Sequence, residues 1–112
     1  MVGHVEFPKV TGNNIPASLS KEIITDKLKN ELGFKGIVIT DGLEMKAIDE
    51  MFTSDKAAVT ALKAGVDILL MPIDFELAYN GVIDAVKSGE ITEDELNEHL
   101  IRILTIKQKY LY

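Results

Sequence analysis

Gly36-Ile37-Val38-Ile39-Thr40-Asp41-Gly42-Leu43-Glu44-Met45 decides how the rest of the chain is read. A β-branched apolar run stops at a carboxylate, and a glycine follows. A run that is apolar without alternation suits a strand covered on both faces. In a parallel α/β fold, a carboxylate directly after such a run stands where the strand emerges into a loop, the edge on which barrel enzymes place their chemistry. Asp41 is therefore the first candidate residue. Its functional reading is a nucleophile, a base or a metal ligand; its structural reading is a loop aspartate that caps the following turn.

Outward from this stretch, the pattern repeats. Residues 1–5 form a short apolar segment containing His4, and Val66 to Met71 form another, stopped by Pro72. Between them lie helical signals. Ser20 or Ser18 is a candidate N-cap, Ile24, Leu28 and Leu32 recur at helical spacing, and Gly33 stands where a left-handed C-terminal residue is wanted. Residues 8–16 read as a loop and residues 43–51 as a loop or short helix. A helix is expected from Ser54-Asp55 to Gly65, with Ala57, Ala58, Ala61 and Leu62 as its stripe. Another is expected from Phe75 to Lys87. The last opens on Thr92-Glu93-Asp94-Glu95, a capping box, and carries Leu96, Leu100, Ile103 and Leu104 to about Lys109.

The predicted order is β-α-β-α-β-α-α. The fold expected is α/β with parallel β-α repeats: part of a (β/α)8 TIM-type barrel, with about three strands and four helices. Strand starts recur about every 30–35 residues, the length of one βαβ step. Three strands leave open sheet edges, so either a missing N-terminal barrel segment or self-association is expected to complete the sheet.

Composition bounds the function. The chain has 112 residues, 46% hydrophobic, with a formal net charge of −6. That balance argues against a nucleic-acid or anionic-membrane binder, which needs a basic surface. No apolar run approaches the roughly 20 residues that cross a bilayer. Cysteine is absent, which removes disulfides and thiolate metal sites and leaves the compartment open. The first residues lack the layout of a signal peptide. There is no phosphate-cradling glycine loop and no Gly-x-Ser-x-Gly elbow. His4 and His99 are too far apart in sequence for a recognisable zinc motif.

Among other candidates, His4 can bind a substrate hydroxyl, a phosphate or a metal, or act as a hydrogen-bonded edge residue. Asp41 and His4 on adjacent strand ends would be neighbours in space. Asp67 begins a strand and reads as structural. Asp74 reads as the N-cap of the Phe75 helix, and His99 as a packed or solvated histidine. Met45 and Met51 are more often core than contact residues. Glu44 lies too close along the loop for its geometry with Asp41 to be read.

Several spaced motifs then agree: Met1-Val2-Gly3-His4-Val5, Pro16-Ala17-Ser18-Leu19-Ser20, Glu31-Leu32-Gly33-Phe34-Lys35-Gly36-Ile37-Val38-Ile39-Thr40-Asp41, Leu43-x-Met45-x-Ala47-Ile48 and Ala64-Gly65-Val66-Asp67-Ile68-Leu69-Leu70-Met71. In this order they resemble glycoside hydrolase family 3, in its beta-N-acetylhexosaminidase branch. The resemblance implies that residues 1–112 are a single piece from the C-terminal portion of a catalytic barrel domain. It implies Asp41 as the nucleophile of a retaining glycosidase, no cofactor, and a glycan carrying terminal N-acetylglucosamine, often from cell-wall fragments, as substrate. His4 and Met45 stand as candidate substrate contacts. Gly42 departs from the family pattern, because many relatives carry a second acidic residue there. The family's Lys-His-Phe-Pro-Gly-His-Gly stretch and its Asp-His acid/base loop are not in this chain and would lie upstream of Met1, so the fragment alone is expected to be inactive. The competing expectation is a stand-alone, non-catalytic α/β module that assembles or binds a partner.

Overall fold

The three apolar runs meet side by side, but they do not make a sheet. A computed structural model describes residues 1–111. Among the described residues there is no strand; Val2 pairs with Thr40 and Ile39 with Ile68 only through isolated parallel bridges, and Glu6 with Pro16 through an antiparallel one. The chain is 59% helical, so the expected parallel β-α barrel with about three strands and four helices is not what the structure contains.

The physical reason lies in where the backbone groups are satisfied. Some pair as in a ladder: Val2 N–H donates to Ile39 O at 2.8 Å, and Asp41 N–H donates to Val2 O at 3.0 Å. Others are captured by side chains. Val38 N–H donates to the Asp67 carboxylate at 2.9 Å, and Leu70 N–H donates to the Thr40 hydroxyl at 3.0 Å. A ladder needs consecutive backbone partners, and these two side chains interrupt it.

Helices make up the rest. They are α1 (Pro8–Thr11), α2 (Lys46–Asp49), α3 (Ser54–Ala64), α4 (Phe75–Ser88) and α5 (Glu93–Leu111). A short 3-10 turn, Ala17–Leu19, precedes a π-helix, Glu22–Glu31. The turn at α1 falls inside the stretch expected to be loop.

The π-helix closes on a bond from Leu32 N–H to Lys27 O at 2.8 Å. Its wider winding departs from the 3.6-residue period, and the expected stripe is only partly buried: Ile24 is wholly buried, Leu28 half-buried and Leu32 76% exposed. It also carries polar side chains onto the end of α3. Thr25 Oγ1 donates to Ala64 O at 2.7 Å, and Lys29 Nζ donates to Gly65 O. These bonds satisfy carbonyls that a helix C-terminus leaves unpaired.

The core forms around Ile24, Val38, Leu43, Ile48, Ala61 and Val66, and a smaller cluster joins Leu62, Ala85 and Ile91. The alanines of α3 let α4 approach closely. At the crossing, a Cβ added to Gly81 would come within 2.9 Å of the Asp55 Cα. Helix propensity alone favours alanine by about 1 kcal/mol. Backbone cannot yield as a flexible side chain does, so Gly81→Ala is nevertheless expected to destabilise by about 1–3 kcal/mol. Urea unfolding reads the sign directly; a more stable variant would mean that the helices can separate freely.

α5 begins as predicted. Glu95 N–H donates to Thr92 Oγ1 at 3.1 Å and Thr92 N–H to Glu95 Oε2 at 3.2 Å. Its expected leucine stripe is only partly covered, with Leu100 45% and Leu104 61% exposed. The residue α5 buries is His99. Between α4, α5 and residues 67–72 lies an open apolar groove of about 1030 Å³, bordered by Leu69, Tyr79, Val82 and Leu100.

Candidate active site

Asp41 stands where the second apolar segment ends, beside the ends of the other two. Its N–H is held by Val2 O, and Leu43 N–H donates to Leu70 O at 2.8 Å. The carboxylate is half-buried, and its Oδ1 accepts from Gly42 N–H at 2.8 Å. Among the described residues Oδ2 receives no hydrogen bond. A carboxylate tethered through one oxygen and open at the other can attack an electrophile or take a proton.

His4 lies on the first segment and reaches the same loop. Its Nε2 donates to Gly42 O at 2.7 Å, and its Nδ1 lies 2.6 Å from Ser18 Oγ. Asp41 and His4 are thus brought together through Gly42, with no direct bond between them. Ser18, left in the sequence as an alternative helix cap, is wholly buried against His4. Ser20, just ahead of the π-helix, accepts from Ile23 N–H at 3.4 Å.

Among the described residues, the other candidates make no hydrogen bond to this carboxylate. Met45 precedes α2 and is 44% exposed. Glu44 folds back over Gly42, where an added Cβ would meet its carboxylate oxygens at 2.5–2.6 Å. Asp74 caps α4, accepting from Leu77 N–H at 2.9 Å. The apolar groove is not lined by Asp41. Its wall is mostly hydrocarbon, which suits packing better than a hydroxyl-rich ligand. Among the described residues, no group of three His, Asp or Glu side chains could hold a metal ion.

A second polar cluster lies at the other end of the segments. The Asp67 side chain, with no exposed surface, accepts from Val38 N–H and from Arg102 Nε at 2.8 Å, and meets His99 Nδ1 at 2.8 Å. His99 Nε2 donates to Leu62 O at 3.1 Å. Burial alone would raise the Asp67 carboxyl. The bonds from His99, Val38 N–H and Arg102, with the Lys29 charge, outweigh it and hold the group below the usual carboxylate range. Lys29 is itself pushed down, first by burial. Sequence reasoning took Asp67 and His99 separately and missed Arg102. The one available signal was the i, i+3 spacing of His99 and Arg102, which places both on one helix face.

Comparison with known proteins gives this geometry its context. The sequence model described as "Glycosyl hydrolase family 3 N terminal domain" matches residues 1–106. Beta-hexosaminidase A of Pseudoalteromonas piscicida is 30% identical across 97% of this chain and 21% of its own length. A beta-hexosaminidase of Mycobacterium tuberculosis is 34% identical across 96% of this chain and 29% of its own. The structure of a family 3 beta-N-acetylglucosaminidase from Paenibacillus superposes with a TM-score of 0.87 at 37% identity, covering 91% of this chain and 20% of that one. Proteins named as beta-glucosidases and a beta-xylosidase match as well. The chain spans between about a fifth and under a third of the length of the hexosaminidases it matches. On the match over nearly its whole length, this chain belongs to glycosyl hydrolase family 3.

Proposed function

We propose that the protein carrying this chain is a retaining glycosidase that removes terminal N-acetylhexosamine residues, with Asp41 as its nucleophile. The observation that carries the reading is the Asp41 carboxylate itself. It is half-buried at a segment end, fixed through Oδ1 by Gly42 N–H and open at Oδ2. The open oxygen would attack the anomeric carbon, the bond to the leaving oxygen would break, and water would later cleave the glycosyl ester with retained configuration. The printed names of the hexosaminidase relatives favour an N-acetylglucosamine-containing glycan, such as a cell-wall fragment, over a plain glucoside or xyloside.

No side chain described here is assigned as the general acid/base. A correctly placed acid is worth typically 10²–10⁴-fold. The 112 residues alone are therefore expected to fall below the full-length protein by at least about 10²-fold. The test uses the full-length protein on matched nitrophenyl β-glycosides, with proton NMR of the first-formed product. The expected result is preferred cleavage of the N-acetylglucosaminide with the β anomer appearing first. An initial α anomer would overturn the nucleophile, and a preferred glucoside or xyloside would overturn the substrate.

A further inference from the structure

The two ring nitrogens of His4 are both engaged within the chain. A carbonyl oxygen only accepts, so the 2.7 Å contact with Gly42 O places a hydrogen on Nε2. In the neutral ring Nδ1 is then an acceptor, and the buried Ser18 hydroxyl donates to it at 2.6 Å. Ser18 thus selects the tautomer that holds Gly42. The peptide between Gly42 and Leu43 is pinned at both ends, its carbonyl by His4 and its N–H by Leu70 O. Fixing that peptide fixes the backbone of Gly42, whose own N–H is the donor to Asp41 Oδ1.

We infer that His4 is a positioning residue, which sets the Asp41 carboxylate through Gly42 and makes no contact with substrate. The inference rests on the reading of Asp41 as the nucleophile and names what orients it. Ser18, His4, Gly42 and Asp41 form one chain of hydrogen bonds from a buried hydroxyl to the reacting oxygen's partner. If the Gly42 peptide loses its His4 anchor, the donor to Oδ1 swings, and the attacking oxygen moves with it. A displacement near 1 Å costs roughly 10²-fold in rate.

The experiment uses full-length wild-type protein, His4→Ala, His4→Gln and Ser18→Ala. Each is assayed on a nitrophenyl N-acetyl-β-glucosaminide and labelled with ¹⁵N-glycine, so that the Gly42 amide reports the ionisation of Asp41. His4→Ala is expected to lower kcat by roughly 10²-fold with little change in KM, and to abolish the response of the Gly42 amide to Asp41. His4→Gln places an amide N–H near the former Nε2 and is expected to restore most of both. Ser18→Ala is expected to fall between them. A raised KM with intact kcat would make His4 a substrate contact and overturn the inference. So would a Gly42 amide that titrates as in wild type once His4 is alanine. If His4→Ala does not fold, a folded His4→Gln with neither kcat nor the amide response recovered overturns it equally. Failure of the nucleophile reading shows separately, as undiminished cleavage by Asp41→Ala, and the amide response still tests the link from His4 to Asp41.

Discussion

Asp41→Ala in the full-length protein is expected to lower kcat/KM on an N-acetyl-β-glucosaminide by on the order of 10⁴–10⁶-fold, the scale on which removing a covalent nucleophile acts. The effect is large because the carboxylate makes a bond in the transition state and not merely a contact. It should come without loss of fold. Asp41 is half-buried, and among the described residues its carboxylate bonds only to the adjacent Gly42 N–H, so its removal orphans no distant group among them. Unchanged thermal unfolding beside vanished turnover is the expected pair of results. Added azide offers a second readout. It can enter the space the carboxylate left, form a carbon–nitrogen bond from the same face and yield the α-glycosyl azide as the aglycone departs. Cleavage at the wild-type rate would remove Asp41 from the mechanism.

Asp67→Ala is expected to give the largest loss of stability, about 3–5 kcal/mol, because it removes the buried centre of a hydrogen-bonded charge network. Asp67 is the common acceptor for Val38 N–H, His99 and Arg102, and its side chain has no exposed surface. Alanine leaves the buried Val38 N–H and His99, and the partly exposed Arg102 Nε, without their acceptor. The pH dependence follows from the sign of the shift. The Asp67 carboxyl is held below its usual range in the folded chain. Its stabilising contribution is therefore complete above the unfolded value of about 3.9 and is lost as pH falls through the lower folded value. The difference in unfolding free energy between wild type and Asp67→Asn should hold steady from neutral pH down to about pH 5 and shrink below about pH 4. A difference independent of pH across that range would mean that the Asp67 charge contributes nothing.

The helices were largely legible because their signals are local. The Thr92–Glu95 box, the Asp74 cap and the glycines after Leu32 and Ala64 act within a turn of where they stand. The sheet was misread because period and composition report burial, not pairing. Val38, Thr40 and Val66 are buried as a strand core would be, yet Asp67 and Thr40 take hydrogen bonds that a ladder would have used. The stripe of α5 failed for a related reason: a hydrogen-bonded His99 can occupy the buried face as well as a leucine. The place of Asp41 at a segment end was legible because the apolar run stops there. The engagement of His4 with Ser18 and Gly42 was not, because those contacts span 14 and 38 residues of sequence.

The capture of Leu70 N–H by the Thr40 hydroxyl and of Val38 N–H by the Asp67 carboxylate has one more consequence. Extended segments paired only through backbone can slide by two residues and re-form equivalent bonds. Here each segment is keyed. A slip of the second segment by two residues would carry Val38 away from Asp67 and put Val38 or Gly42, neither with a side-chain acceptor, where Thr40 meets Leu70 N–H. Threonine and aspartate therefore act as indexing pins, and the residue they index, one step beyond Thr40, is Asp41.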